Sequence, residues 1–289
     1  MDNQSSLALY LGFGVAASVL LAGGLLMMKS RSAALPSAHG SGMFRAILIW
    51  IRDPVWSGGL GLQAVGYALY LVALSDAPVS LVAVMMQGGI ALFVIFAALF
   101  LREKANPREW AGIVGIVTAM VMLALSLKGG ATEGEANAPS LWAFTAISIG
   151  VAAVPSVFAR LRCSGAATAI ASGVAFGLGS IYAKALADTF MAHTGASPML
   201  RVFAHPWLYL ASAANIAGLI LLQNSFHVAR GIIAMPLSSA ISNVVPIMGG
   251  MIAFGESLPT EPIAASFRIA AFALTIGSSA LLAIGEEAT

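Results

Sequence analysis

The residues whose types and spacing could do chemistry are uncharged and lie in apolar surroundings. Gln63, Tyr67 and Tyr70 stand at i, i+4 and i+7, within about 60° of one another on a helical wheel. Further along, Pro236, Ser239, Asn243, Pro246 and Gly250 share an arc of about 80° on the same basis. Ser80 and Gln87 are seven apart, and Gly173, Gly177, Ser180 and Lys184 fall on one face. Amides and hydroxyls of this kind hold a solute by reversible hydrogen bonds, and polar groups inside a membrane point to function by default. Pro236 and Pro246 also withhold donors from the carbonyls of Ile232 and Ser242, which predicts a broken or bent helix with free acceptors.

Each of these features has a plainer explanation beside it. Interhelical amide bonds hold bundles together at roughly 0.6 kcal/mol each, and Gly173 and Gly177 form a GxxxG element suited to helix packing. Lys184 either faces a central cavity, where it would attract an anionic or carbonyl-bearing solute, or snorkels to the headgroups and pairs with Asp188. Arg268 is most simply a snorkelling residue, and Arg230 a topology anchor. Catalysis is not expected. There is no HExxH or GxSxG motif, and His39, His193, His205 and His227 all lie outside the apolar cores. Cys163 is the single cysteine, which removes intramolecular disulfides, iron–sulfur clusters and thiolate zinc sites. No cofactor and no metal site is expected.

The elements that position these residues follow from composition. The chain has 289 residues, 9% charged and 59% hydrophobic, where soluble domains carry roughly 25% charge. Its apolar blocks approach the roughly 20 residues that cross a bilayer. Nine such blocks are read: Leu7–Met28, Val55–Leu74, Val79–Leu101, Trp110–Leu127, Leu141–Phe158, Cys163–Leu186, Pro206–Gln223, Gly231–Gly255 and Pro262–Ile284. The expected fold is an all-α polytopic membrane bundle of about nine transmembrane helices. The segment near 43–50 is apolar but too short to cross, and reads as an interfacial helix with Arg45 and Trp50 at headgroup level. With the N-terminus outside, ten of the 14 Lys and Arg fall in inner loops, which puts the C-terminus in the cytoplasm by the positive-inside rule. The first block carries its positive residues, Lys29 and Arg31, after the apolar run, so it reads as an uncleaved span.

The punctuation repeats. Asp53-Pro54 and His205-Pro206 each open a span, and Glu103 and Glu256 each follow a span end, at separations of 152 and 153 residues. Residues 1–138 form a first repeat of four spans plus the interfacial helix, and 139–289 a second repeat of five. Glu103 and Glu256 fall on opposite sides of the membrane, so the repeats are inverted, an arrangement that builds a solute site at the midplane.

At these residues the chain resembles the drug/metabolite transporter superfamily, whose EamA-type repeats end an apolar helix in Gly-Glu-Arg or a close variant; Gly255-Glu256 fits, and Arg102-Glu103-Lys104 is a looser form. Within it, the order of Met27-Met28-Lys29, Asp53-Pro54-Val55-Trp56, Ala77-Pro78-Val79-Ser80, Lys184 and the stretch from Asn224 to Pro236 is similar to the nine-helix NIPA-type magnesium transporters. Val84 stands where that family usually has a proline, and His227 and Arg230 where it tends to have Asp and Asn. The resemblance implies transport. All 12 acidic residues lie in loops, tails or span ends, whereas a magnesium path usually offers one or two carboxylates. The expectation is therefore a multi-pass permease of the plasma (inner) membrane that moves a small polar or amphipathic solute by alternating access. Gln63, Tyr67, Tyr70, Gln87, Ser180, Lys184, Ser239 and Asn243 would form its site. The alternatives are divalent-cation transport and a non-transporting membrane scaffold. Expected partners are the lipid bilayer and a small-molecule or ion substrate, with a homodimer left open and nucleic acid excluded.

Overall fold

A computed structural model describes residues 3–37, 42–76, 79–126, 138–158, 165–191, 205–255 and 261–287. Among them the secondary structure is helical throughout: α1 Asn3–Arg31, α2 Met43–Arg52, α3 Pro54–Asp76, α4 Val79–Phe100, α5 Pro107–Ser126, α6 Ala138–Phe158, α7 Gly165–Met191, α8 Pro206–Val228, α9 Gly231–Ala253 and α10 Pro262–Glu287. Six of these, α1, α5, α7, α8, α9 and α10, are long and apolar enough to cross a membrane.

Helix starts are set by local chemistry. Asp53 Oδ1 accepts from the Val55 and Trp56 amides at 3.1 and 2.9 Å, and Pro54 fills the first turn of α3 where no donor is needed. His205 does the same for α8, accepting from the Trp207 amide at 3.4 Å ahead of Pro206. Asn106 and Glu109 form a reciprocal capping box on α5, with bonds of 2.9 and 2.8 Å. α9 runs unbroken through Pro236 and Pro246; the expected interruption is absent, because neighbouring helices pack it on several sides.

Small residues decide which helices meet. α1 packs on α3 and then α4; α7 packs on α8 and α9; α5 packs on α10. A Cβ at Gly24 would come within 2.6 Å of the Gly59 carbonyl oxygen, and one at Gly59 equally close to the Gly24 carbonyl, so α1 and α3 touch backbone to backbone. Gly173 approaches Ser238 and Ile241 of α9, and Gly177 approaches Val245. These glycines serve packing. The largest core joins α4, α5, α8, α9 and α10 through Phe93, Ile116, Phe226, Leu237 and Leu282.

Two residues near helix ends are held by protein contacts. Trp50 is buried: its indole donates to the Pro36 carbonyl at 2.9 Å and its ring lies 5.8 Å from Trp56. The exposed apolar face of α2 is Phe44, Leu48 and Ile51. Arg268 is buried and donates to Ser126 Oγ at 3.3 Å, so it does not snorkel.

Candidate functional site

Two adjoining cavities lie between α1 and α3 on one side and α9 on the other: the larger, of about 420 Å³, is also walled by α8, and the smaller, of about 330 Å³, by Gly89 and Ile90 of α4. They share Leu25, Gln63, Met235 and Ser239. Gln63 reaches this position because Gly24 and Gly59 bring α1 and α3 together; its Nε2 donates to the Leu21 carbonyl at 3.0 Å. On the facing side, Asn243 Nδ2 donates to the Ser239 carbonyl at 2.7 Å, one turn back on α9.

The larger cavity holds a residue that the stripe pattern did not mark, Asn215 of α8. Its Nδ2 donates to the Ala211 carbonyl at 2.8 Å. Asn215 is not among the stripe residues singled out on the sequence, although Ser212 and Gln223 share its helix. The interval of the expected repeat points to it: 152 residues separate Gln63 from Asn215, as they separate Pro54 from Pro206. Shifting the first polar stripe by that interval would have flagged it.

The three amides share a chemical feature. Each spends an N–H on a backbone carbonyl, and a carbonyl only accepts, so the orientation of each amide is fixed. Among the described residues no donor reaches their side-chain oxygens. The serines are less available. Ser172 Oγ donates to the Gly218 carbonyl at 2.9 Å and therefore receives its 3.1 Å bond from Ser238. Ser242 Oγ donates to the Ser239 carbonyl at 2.9 Å. Among the described residues no charged side chain lines either cavity, and the remaining wall is apolar, with Met28, Leu60, Phe176 and Leu222 among its members. Among the described residues no group of three or more His, Cys, Asp or Glu could hold a metal ion.

Of the expected site residues, Gln63, Tyr70, Ser239 and Asn243 line these cavities. Tyr67 is 57% exposed and turned away from them, with its ring 5.8 Å from Tyr70. Ser180 is exposed and bonds the Phe176 carbonyl at 3.2 Å. Lys184 lies partly buried with its ammonium 4.6 Å from the Phe254 ring centre, outside either lining. The side chains of Ser80, Gln87 and Asp188 lie outside what the structure describes, as does the whole of Glu256.

The chain is similar to the probable magnesium transporter NIPA9 of Arabidopsis thaliana, at 26% identity over 258 residues, which is 83% of this chain and 71% of that one. No family model matches the chain. No solved structure matches it either.

Proposed function

We propose that the protein is a multi-pass transporter of the plasma membrane. It has nine spans in two inverted repeats, 1–138 and 139–289, with the N-terminus outside and the C-terminus cytoplasmic. A solute passes through the cavity between the repeats by alternating access. The apolar helices and the similarity to a probable magnesium transporter support the transport reading. Matching contacts support the repeat: α1 on α3 and α4 corresponds to α7 on α8 and α9 under a shift of about 153 residues.

The observation that carries the substrate class is the set of three amide oxygens, on Gln63, Asn215 and Asn243, which among the described residues meet no protein donor and line two adjoining cavities without a charged side chain. Such a lining suits a solute that donates hydrogen bonds in several directions. A hydrated magnesium ion does so through its waters, which it gives up reluctantly. Six waters at roughly 30 Å³ each occupy about 180 Å³, within either cavity volume. The absence of a lining carboxylate, which counts against a stripped ion, is compatible with an ion that keeps its shell. The apolar wall of Leu25, Leu60, Leu222 and Met235 favours a second reading, an amphipathic metabolite or drug.

Proteoliposomes loaded with a magnesium-sensitive dye test the choice. Magnesium-dependent fluorescence that falls at least tenfold in Gln63→Leu and Asn215→Leu supports the hydrated ion. No magnesium flux, with an amphipathic solute raising the thermal midpoint of wild type but not of Asn243→Leu, transfers the site to the second reading.

A further inference from the structure

One end of the bundle carries a group of desolvated charges that the cavity does not use. Lys29, at the C-terminal end of α1, donates to the carbonyls of Phe226 and Ala229 at 2.7 and 2.8 Å. Phe226 lies in the last turn of α8 and Ala229 is its C-cap, so both carbonyls stand at the negative end of the helix dipole. The ammonium also lies 5.4 Å from the Phe226 ring centre and 3.7 Å from Glu103 Oε1, both ion-pair side chains being 11% exposed. Glu103 in turn accepts from the Gly231 and Ile232 amides at 3.0 and 2.9 Å and so caps α9 from a different part of the chain. Arg230, between the two helices, pairs with Glu109 of α5 and donates to the Lys104 carbonyl.

These contacts converge on one short stretch. Ala229 and Arg230 are all that separates α8 from α9, and the groups that grip them come from α1, α5 and the turn between α4 and α5. Every element on one side of the grip belongs to the first repeat, and the gripped link belongs to the second. The cavity lies just beyond: Met28 and Leu222 line it, one residue from Lys29 and one turn from Phe226.

The geometry points to an ionic latch in which Lys29, Glu103 and Glu109 of the first repeat hold the Ala229-Arg230 link of the second and close this end of the cavity. Removing one member leaves its partner charged, buried and unpaired, so the closed arrangement loses its advantage over an open one in which those groups meet water. This rests on the transport reading, because a latch matters only if the cavity opens in turn to each side. Its test uses accessibility instead of flux, so the two fail separately.

Full-length protein with Cys163→Ser and the reporter Ser239→Cys is reacted in membrane vesicles with an impermeant thiol reagent from each side. Ser30→Cys, exposed at the latched end, identifies that side. With the latch intact the reporter reacts slowly from the side that labels Ser30→Cys. Lys29→Met is expected to raise that rate at least tenfold, and Arg230→Gln by a smaller but clear factor. Lys29→Arg, which keeps the charge and the donors, should stay within twofold of the parent. If Lys29→Met yields no monodisperse protein, Arg230→Gln decides alone. A rate unchanged in Arg230→Gln, or raised equally in Lys29→Arg and Lys29→Met, overturns the latch.

Discussion

The two ends of the bundle are held by different physics. At the α8–α9 link, Lys29, Glu103, Glu109 and Arg230 make directed bonds in a desolvated setting. At the opposite end, where α8 begins and α9 finishes, the contacts are aromatic. Trp207 lies 5.9 Å from Tyr182 in a stacked arrangement and 5.5 Å from Trp142, tilted by 35°. Tyr182 Oη donates to Thr145 Oγ1 at 3.0 Å, and the Lys184 ammonium sits over Phe254. Lys29 and Tyr182 are 153 residues apart, the interval of the proposed repeat. On that proposal the same position in the two halves holds a cation at one end and a ring at the other. Aromatic pairs contribute about 0.5–1.5 kcal/mol each beyond burial and tolerate sliding. A buried charge pair is close to all-or-none, since breaking it by deleting one partner costs about 3–5 kcal/mol.

The largest expected effect follows from that contrast. Glu109 is fully buried, 0% exposed, and is both the cap partner of Asn106 and the counter-ion of Arg230. Glu109→Ala should therefore destabilise by about 3 kcal/mol, at the lower end of the buried-pair range because Arg230 is partly exposed. Trp207→Leu, at the aromatic end, should cost about 1–2 kcal/mol through its lost ring contacts. Thermal unfolding of purified protein in detergent compares the two. Equal shifts would erase the distinction between the ends.

The apolar blocks and their flanking charges made the helices legible, because crossing hydrocarbon requires both long apolar runs and charged punctuation. The polar stripes on α3 and α9 brought Gln63, Tyr70, Ser239 and Asn243 to one cavity. Within a stripe, however, an arc of about 60° is wide enough for Tyr67 to turn outward while Tyr70 turns in. Asn215 shares its helix with Ser212 and Gln223, and the interval of the proposed repeat from Gln63 points to it. The role of Lys29 was hidden for a different reason. As a lone cation after an apolar run it reads as a topology signal, and its partners, Phe226, Ala229 and Glu103, are distant in sequence. Trp50 illustrates the same limit: its partners Pro36 and Trp56 are brought to it by the fold and carry no spacing signal in the sequence.

The helix starts offer a finer comparison between the halves. Asp53 caps α3 and pairs with Arg31 at 2.8 Å, whereas His205 caps α8. The Arg31 guanidinium, and after it the Trp56 amide, holds the Asp53 carboxyl below the ordinary carboxylate range. A depressed folded-state value means that the stabilisation is complete above the ordinary pKa of about 3.9 and disappears as pH falls through the folded value. Wild type should therefore have the higher thermal midpoint at neutral pH, and its separation from Asp53→Asn should narrow as pH falls below the ordinary carboxylate range. The separation should be small beside that of Glu109→Ala, since the partner Arg31 is 39% exposed. A separation that does not change with pH would assign the effect to the cap and not to the charge.

The smallest effect concerns how α4 and α9 end. Arg102 follows α4 with φ of 54°, and Gly255 follows α9 with φ of 68°, again 153 residues apart. The left-handed conformation suits a helix C-terminus and is nearly free for glycine, but costs an L-residue roughly 1 kcal/mol. A Cβ at Gly255 would meet nothing within 4 Å, so Gly255→Ala should lose about 1 kcal/mol through backbone strain alone. Arg102→Gly relieves the corresponding strain but adds freedom to the unfolded chain, and the two terms nearly cancel at about 0–0.5 kcal/mol of net gain. The first half accepts the strain at the turn that delivers Glu103 to the α9 amides, with the Glu103 amide donating to the Ala97 carbonyl at 3.3 Å. If the turn alone positions Glu103, Arg102→Gly will keep the parent labelling rate at Ser239→Cys while raising the thermal midpoint slightly. A raised labelling rate with unchanged stability would instead give the Arg102 side chain a part in the ionic end, and the contrast between the ends would extend to their turns.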